Sequence, residues 1–453
     1  MAILNIHPEL ALLLERQMRR VMDASGAGRD AWLSLQAKAC DVLERVGLPD
    51  RNGEAYRYAN LEDVLGRAYS GGNTVQADAG VLQNVFQDIT LPKLDGYTVY
   101  LVNGQFCHAG GDDCFELEDG LLCGSIRRIA ERYPQLLEQA QCDAMPDGLA
   151  AMATLMAEDG FFIHVPEGVQ LEKPIQIVDF LCGDVDRAVA SRNVISLGRG
   201  AKAQVVLCPV AGSLHKYFDN MRLDCRVDEQ ADLCFTLLQN VHDEVAQVLH
   251  LFGRTLGGAR LQTNNLAIQG GFLRNNFYVS LLAPGAECHL NGLSLLDGSQ
   301  YVDNHTLVEH CAPECSSSQL YKNLVDGAAE SVFYGAIDVK PEAQKTIAYQ
   351  RSASILLSEC GKVRTRPQLV IHADDVKCSH GATVGQLDED ARFYLRSRGI
   401  PARAADRLLM SAFVSDVVNA VAPEPFREHV RQEVENRLEG EQNSYCINCP
   451  YRV

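Results

Sequence analysis

The chain has 453 residues, 47% of them apolar and 22% charged, with a formal net charge of −18 at pH 7. That length and apolar share allow two or three domains with a buried core, whereas the negative charge, with no long block of Lys and Arg, argues against nucleic acid as a partner. No apolar stretch nears the length of a membrane-spanning helix, and residues 1–14 lack the basic start and small-residue cleavage site of a secretory signal, so a cytoplasmic location with no membrane partner is expected. In that compartment thiols stay reduced, and most of the 16 cysteines are expected as small core residues rather than disulfide partners.

In chain order, Leu10, Leu13, Leu14, Met18, Val21 and Met22 recur at helical spacing over residues 8–25. A second helix is expected from an N-cap at Asp30 to Gly47. Residues 95–118 alternate in short strand-like pieces, clearest at 97–101, before helical spacing returns over 125–141 and 149–157. After Phe161 the pattern changes to short β-rich runs, with turns marked by Gly or Pro and often an adjacent alanine, at 201, 231, 259, 286, 312, 328 and 343. Each turn leads into an alternating segment such as Ala203-Gln204-Val205-Val206-Leu207, which fits one coil of a parallel β-solenoid per ~20 to 30 residues. A β-sandwich of hairpins would more often carry Asn-Gly or Asp-Gly turns between paired strands. Beyond Gly385 the helical period returns: Ala405, Leu408, Leu409, Ala412, Phe413, Val417, Ala420 and Val421 form one stripe, and Phe426, Val430, Val434 and Leu438 a second. These two helices are too small to form a core alone, so they pack on the solenoid, on each other, on the N-terminal helices or on a partner.

The expected architecture is therefore mainly β, with a helical region over residues 1–158, a parallel β-helix core over 159–385 and a helical region with a short tail over 386–453. An open-ended rod of stacked strands leaves unpaired edges, which a second chain of the same build can cover. Chemistry concentrates near the end of the core, where Cys378 and His380 stand two apart in Lys377-Cys378-Ser379-His380-Gly381. On a strand this spacing turns both side chains to one face, offering a thiolate and an imidazole to a common ion. Two ligands are too few for a closed zinc site, so another subunit has to complete the coordination. His305, His310 and Cys315 are secondary candidates; the odd spacing of the two histidines puts them on opposite faces, and one local site there requires a turn at Pro313. Otherwise they are a hydrogen-bonded histidine and a packed thiol of the solenoid. Cys446 and Cys449 form a lone C-x-x-C in the tail, expected to be dispensable.

The run Ala373-Asp374-Asp375-Val376-Lys377-Cys378-Ser379-His380-Gly381-Ala382-Thr383-Val384-Gly385, followed by Phe393-Tyr394-Leu395-Arg396-Ser397-Arg398-Gly399-Ile400, closely resembles the signature of the SufB/SufD family of the SUF iron–sulfur cluster assembly system. Further blocks resembling the family are Ser318-Gln319-Leu320-Tyr321-Lys322, Val339-Lys340-Pro341-Glu342, Arg366-Pro367-Gln368-Leu369 and Glu54-Ala55-Tyr56-Arg57-Tyr58. Within the family, the K-C-S-H-G wording is most like the SufD branch. The resemblance implies a right-handed parallel β-helix serving as a non-catalytic scaffold. It implies a heterodimer with a SufB-type subunit through the end of the β-helix, the SufC ATPase docked on the C-terminal helices, and Cys378 and His380 as interface ligands for a transient iron or iron–sulfur cluster. Family members also carry His and Cys at the positions matching 305, 310 and 315.

Two other readings follow from the residues. A SufB-like principal scaffold would form a homodimer. A β-helical carbohydrate enzyme would use a surface acid pair, for which Asp374 and Asp375 are the best available. No G-x-x-x-x-G-K-[ST], G-x-S-x-G or G-x-G-x-x-G is present, so neither ATP hydrolysis nor nucleotide binding is expected on this chain.

Overall fold

A computed structural model describes residues 6–24, 31–70, 94–107, 113–117 and 120–440. Two ten-stranded sheets face each other, and from Phe161 to Gly385 consecutive strands alternate between them, so each coil gives one strand to each sheet. About eight coils stack in this way, with neighbours within a sheet paired in parallel and in register. Because side chains alternate across a strand, a constant register stacks like positions. Leu233, Leu261 and Cys288 form one such inward column, and Leu223, Leu251 and Phe277 another. The interior between the sheets is the largest apolar core.

One corner of each coil sets the repeat. Gly200, Gln230, Gly258, Gly285, Glu314 and Lys345 all have positive φ and turn the chain from one sheet into the other. Ala201, Ala231, Ala259 and Ala286 follow them, fully buried, where a larger side chain would crowd the coils above and below. The alanine count goes astray after 286. Cys315 takes the inward corner position, and Ala328 belongs to the opposite corner beside Gly327, so the repeat stays near 30 residues.

Before Phe161 the chain is not only helical. Strand Tyr97–Val102 pairs in parallel with Ile175–Leu181, and Gln105–Cys107 turns back antiparallel to cover it. Leu122–Ser125 pairs antiparallel with Phe161–Val165, and Cys114–Glu116 antiparallel with it in turn, closing the other sheet. The helical stretch expected over 125–141 divides into Ile126–Arg132 and Pro134–Ala140, since proline cannot donate to the preceding turn. Helices Pro8–Asp23, Ala31–Val46 and Gly148–Met156 lie against one sheet's outer face, packing Leu14, Leu43 and Leu155 on Phe218, Val248 and Phe272. Asp147 caps the last of these, accepting from the Leu149 and Ala150 amides at 3.0 and 2.8 Å. The expected N-cap Asp30 lies outside the described residues.

The outer face of the other sheet carries the C-terminal helices Ala402–Asn419 and Glu424–Glu439. Val414, Val417, Val421, Phe426, Val430 and Val434 pack together on Leu266, Leu293 and Leu324, each fully buried aliphatic contributing about 1.5–3 kcal/mol. Lys322, almost wholly buried, ties strand to helix by donating to Asp416 at 2.7 Å. A further helix, Glu389–Ser397, precedes them and buries none of its side chains.

Candidate functional site

The rod ends in two long strands. Among the described residues Lys362–Ile371 pairs only with Glu330–Val339, and Val376–Gly385 only with Thr346–Leu356, leaving the far edge of each open there. Cys378 lies opposite Ala348 and His380 opposite Gln350, both inward-facing positions of the coil below. Cys378 is half-buried against Ile337, Val339, Ala343 and Ala348, and burial pushes its thiol up from its ordinary value, partly opposed by a backbone hydrogen bond at Ala348. His380 is exposed, because no further coil roofs its face. The thiol and imidazole thus share one face at the mouth of the rod. Among the described residues no group of three or more His, Cys, Asp and Glu could hold a metal ion. Asp374 and Asp375 are exposed in the turn just before this strand, and the Asp375 amide donates to Gln344 Oε1 at 2.9 Å.

The secondary candidates lie apart from each other. His305 faces outward from strand Tyr301–His310, 2.9 Å from Asp303 Oδ1 and stacked on Tyr334 at 5.1 Å. His310 faces the interior, with Nε2 2.8 Å from Ser317 Oγ, and burial drives its pKa down to about 4. The odd spacing has the effect expected of it. Cys315 sits in the corner turn after Pro313, its thiol donating to the Ala283 carbonyl at 3.3 Å and raised in pKa by burial. Cys446 and Cys449 lie outside the described residues.

Two features escaped the sequence reading. A line of buried amides runs inside the rod beneath His380: Thr306 Oγ1 and Gln350 Nε2 both donate to Gln319 Oε1, at 2.7 and 3.0 Å. Their sign in the sequence is a polar residue at an inward position of an otherwise apolar alternation. The other is the helix Glu389–Ser397, which with its neighbour leaves Phe393, Tyr394 and Leu408 at 73, 57 and 50% exposure. Apolar side chains grouped at that exposure mark a surface suited to contact.

Comparison with known families settles what kind of rod this is. The model for the SUF system FeS cluster assembly SufBD core domain matches residues 180–413, and that for the SufBD protein N-terminal region matches 19–177. The chain belongs to the SufBD family. Among relatives, the iron–sulfur cluster assembly protein SufD of Escherichia coli is 28% identical, over 94% of this chain and 97% of that protein. A SufBD family protein of Synechocystis, slr0076, is 25% identical over 96% of both chains, and the chloroplastic protein ABCI7 of Arabidopsis thaliana is 26% identical over 92% of this chain and 89% of its own length. This SufBD protein is most like SufD. The core-domain match spans most of the parallel coils and includes both terminal strands, placing Cys378 and His380 within it. No helix among the described residues is long and apolar enough to cross a membrane.

Proposed function

We propose that this SufBD protein is a non-catalytic scaffold subunit that joins a SufB-type partner through the open edges of its terminal coil. Cys378 and His380 then supply two of the ligands for an iron ion or nascent iron–sulfur cluster held between the subunits, with the remaining ligands from the partner. The observation that carries this reading is the coincidence of two long unpaired strand edges with a thiol and an imidazole on the same coil. Thiolate and imidazole suit iron and iron–sulfur chemistry, and a site open at a subunit boundary releases its cargo when the subunits part. The SufC ATPase docks on the C-terminal helical region, where Phe393, Tyr394 and Leu408 are exposed, and supplies the ATP hydrolysis that this chain has no motif for. The complex works in the cytoplasm.

The test is anaerobic co-purification with both partners, followed by iron and sulfide analysis and transfer to a reporter apoprotein. Cys378→Ala and His380→Ala should fold and assemble as wild type, since neither removes much packed surface, yet mature the reporter more slowly. The double variant should be little worse than the weaker single one, because ligands of one site act together. Wild-type maturation by both single variants would exclude the interface site.

A further inference from the structure

A second site lies away from the terminal coil. The segment Glu54–Tyr56, with Arg57 and Tyr58 after it, folds down onto the outer face of the sheet whose last strands are Tyr301–His310, Glu330–Val339 and Lys362–Ile371. Tyr56 anchors it, fully buried, with its hydroxyl donating to Asp147 at 2.5 Å and the Arg274 guanidinium 3.8 Å above its ring. Between segment and sheet is a cavity of about 420 Å3, within the range of small-ligand sites. Four stretches distant in sequence meet in its lining.

Its chemistry is directional. Arg57, Arg364 and Arg366 stand at the walls. Arg364 lies over Tyr58 at 4.4 Å and bonds Glu330 at 2.6 Å, while Arg366 pairs with Glu54 and lies near Tyr334. Arg57 has no ion pair among the described residues. Asp303, the only other acid of the lining, is engaged by Arg274, so the cavity carries net positive charge on a chain of −18. Stacked guanidinium groups are held in place for bidentate contact with an oxyanion. At the floor, His305 is 7% exposed and its Nε2 lies 2.9 Å from Asp303 Oδ1. Burial and the Arg274 charge lower its pKa, so it is neutral at pH 7, and a neutral imidazole has one ring nitrogen able to accept from a donor on the ligand.

We propose that this cavity binds a small aromatic oxyanion, with the carboxylate or phosphate held by Arg57 and Arg366, the planar body against Tyr58 and Tyr334, and a hydroxyl or N–H donating to His305. A suitable fluorescent probe is 6-hydroxy-2-naphthoate, titrated into the full chain. It should bind with a dissociation constant below about 1 mM. The analogue 2-naphthol, which lacks the charge, should bind at least about tenfold more weakly, as should inorganic phosphate, which lacks the ring. The ratio of affinities for 6-hydroxy-2-naphthoate and 2-naphthyl phosphate reports which oxyanion the arginines prefer.

Replacing Arg57→Gln and Arg366→Gln together should weaken the naphthoate by at least about tenfold without shifting the melting temperature. Arg57→Gln alone, at an exposed side chain, keeps the test independent of folding and should weaken binding in the same direction. Absence of saturable binding below about 10 mM, phosphate binding as tightly as the naphthoate, or undiminished binding by these variants would each overturn the proposal.

Discussion

The two ends of the rod are built from the same coil and finished in opposite ways. At the first end the sheets close with the short strands Gln105–Cys107 and Cys114–Glu116, each antiparallel to its neighbour and only 3 residues long. A short reversed strand offers little edge to another chain. At the second end Lys362–Ile371 and Val376–Gly385 keep the full 10-residue length and the parallel direction of the stack, and most of their residues are exposed or half-buried. A solenoid cannot bury its own last coil. It either caps that coil or leaves it for a partner, and here one end takes each course.

The contrast breaks most visibly under truncation of inward side chains. Leu261→Ala, in a middle coil with no exposure, should cost about 2–5 kcal/mol, read as a lower urea midpoint at unchanged slope. Leu261 has coils on both sides, so the cavity left behind cannot collapse freely.

Nearer the closed end, burial pushes the Asp179 carboxyl up to about 7, and that of the neighbouring Asp219 is also raised by burial and by Asp179 itself. A carboxyl raised on folding binds its proton more tightly in the native state than in the unfolded chain, where the pKa is about 3.9. Its contribution to stability is therefore full below about pH 4 and is lost as pH rises to about 7. Asp179→Asn should remove that loss, worth about 2–4 kcal/mol, so that the difference in urea midpoint between variant and wild type grows from pH 5 to pH 7.5. A constant difference would show that the carboxyl is not held neutral.

The open end is sharpened by proline. On a parallel strand successive residues point their amides alternately toward the paired neighbour and toward the free edge. One of Thr383→Pro and Val384→Pro thus keeps all internal pairing. That variant should melt within about 2 °C of wild type while binding the SufB-type partner at least about tenfold more weakly in a titration. Full partner binding by both would remove the edge from the interface. The smallest effect is expected for Val384→Ala, at 46% exposure on the terminal strand, which should change the unfolding free energy from urea titration by less than about 0.5 kcal/mol.

Much of this was legible along the chain. The alternation after Phe161 and the recurrent corner alanines indicate stacked coils, because a buried corner with positive φ before it tolerates few residues. The stripe at 426–438 matches a helix whose Phe426, Val430 and Val434 are buried, since an apolar stripe at period 3.6 has one face to hide; the stretch 405–421 is helical too, but Leu408 and Ala412 of its stripe are exposed, and Val414 and Val418 beside it are buried with Ala405, Val417 and Val421. The word around Cys378 and His380 falls on a strand, as its reading with both side chains on one face requires. The helix Glu389–Ser397 was missed for a physical reason: at 9 residues it is too short for its apolar positions to show a repeating period, and its marker is the Asp388 cap, which accepts from Asp390 and Ala391 at 2.9 and 3.1 Å. The strands at 97–125 were seen in part, but their place at the rod's end was not, because sheet order depends on contacts between segments far apart in sequence.

Local chemistry in the sequence determined the coil, its repeat and the pairing of a thiol with an imidazole on one face, since these depend on side-chain period and turn geometry within a few residues. Which faces are covered, which end is closed, and where His305, His310 and Cys315 lie were decided only by the tertiary structure. The same alternation serves an inward position of a middle coil and of the last one. Whether that position is sealed or open is set by the presence of another coil above it, and the strand itself holds no record of that.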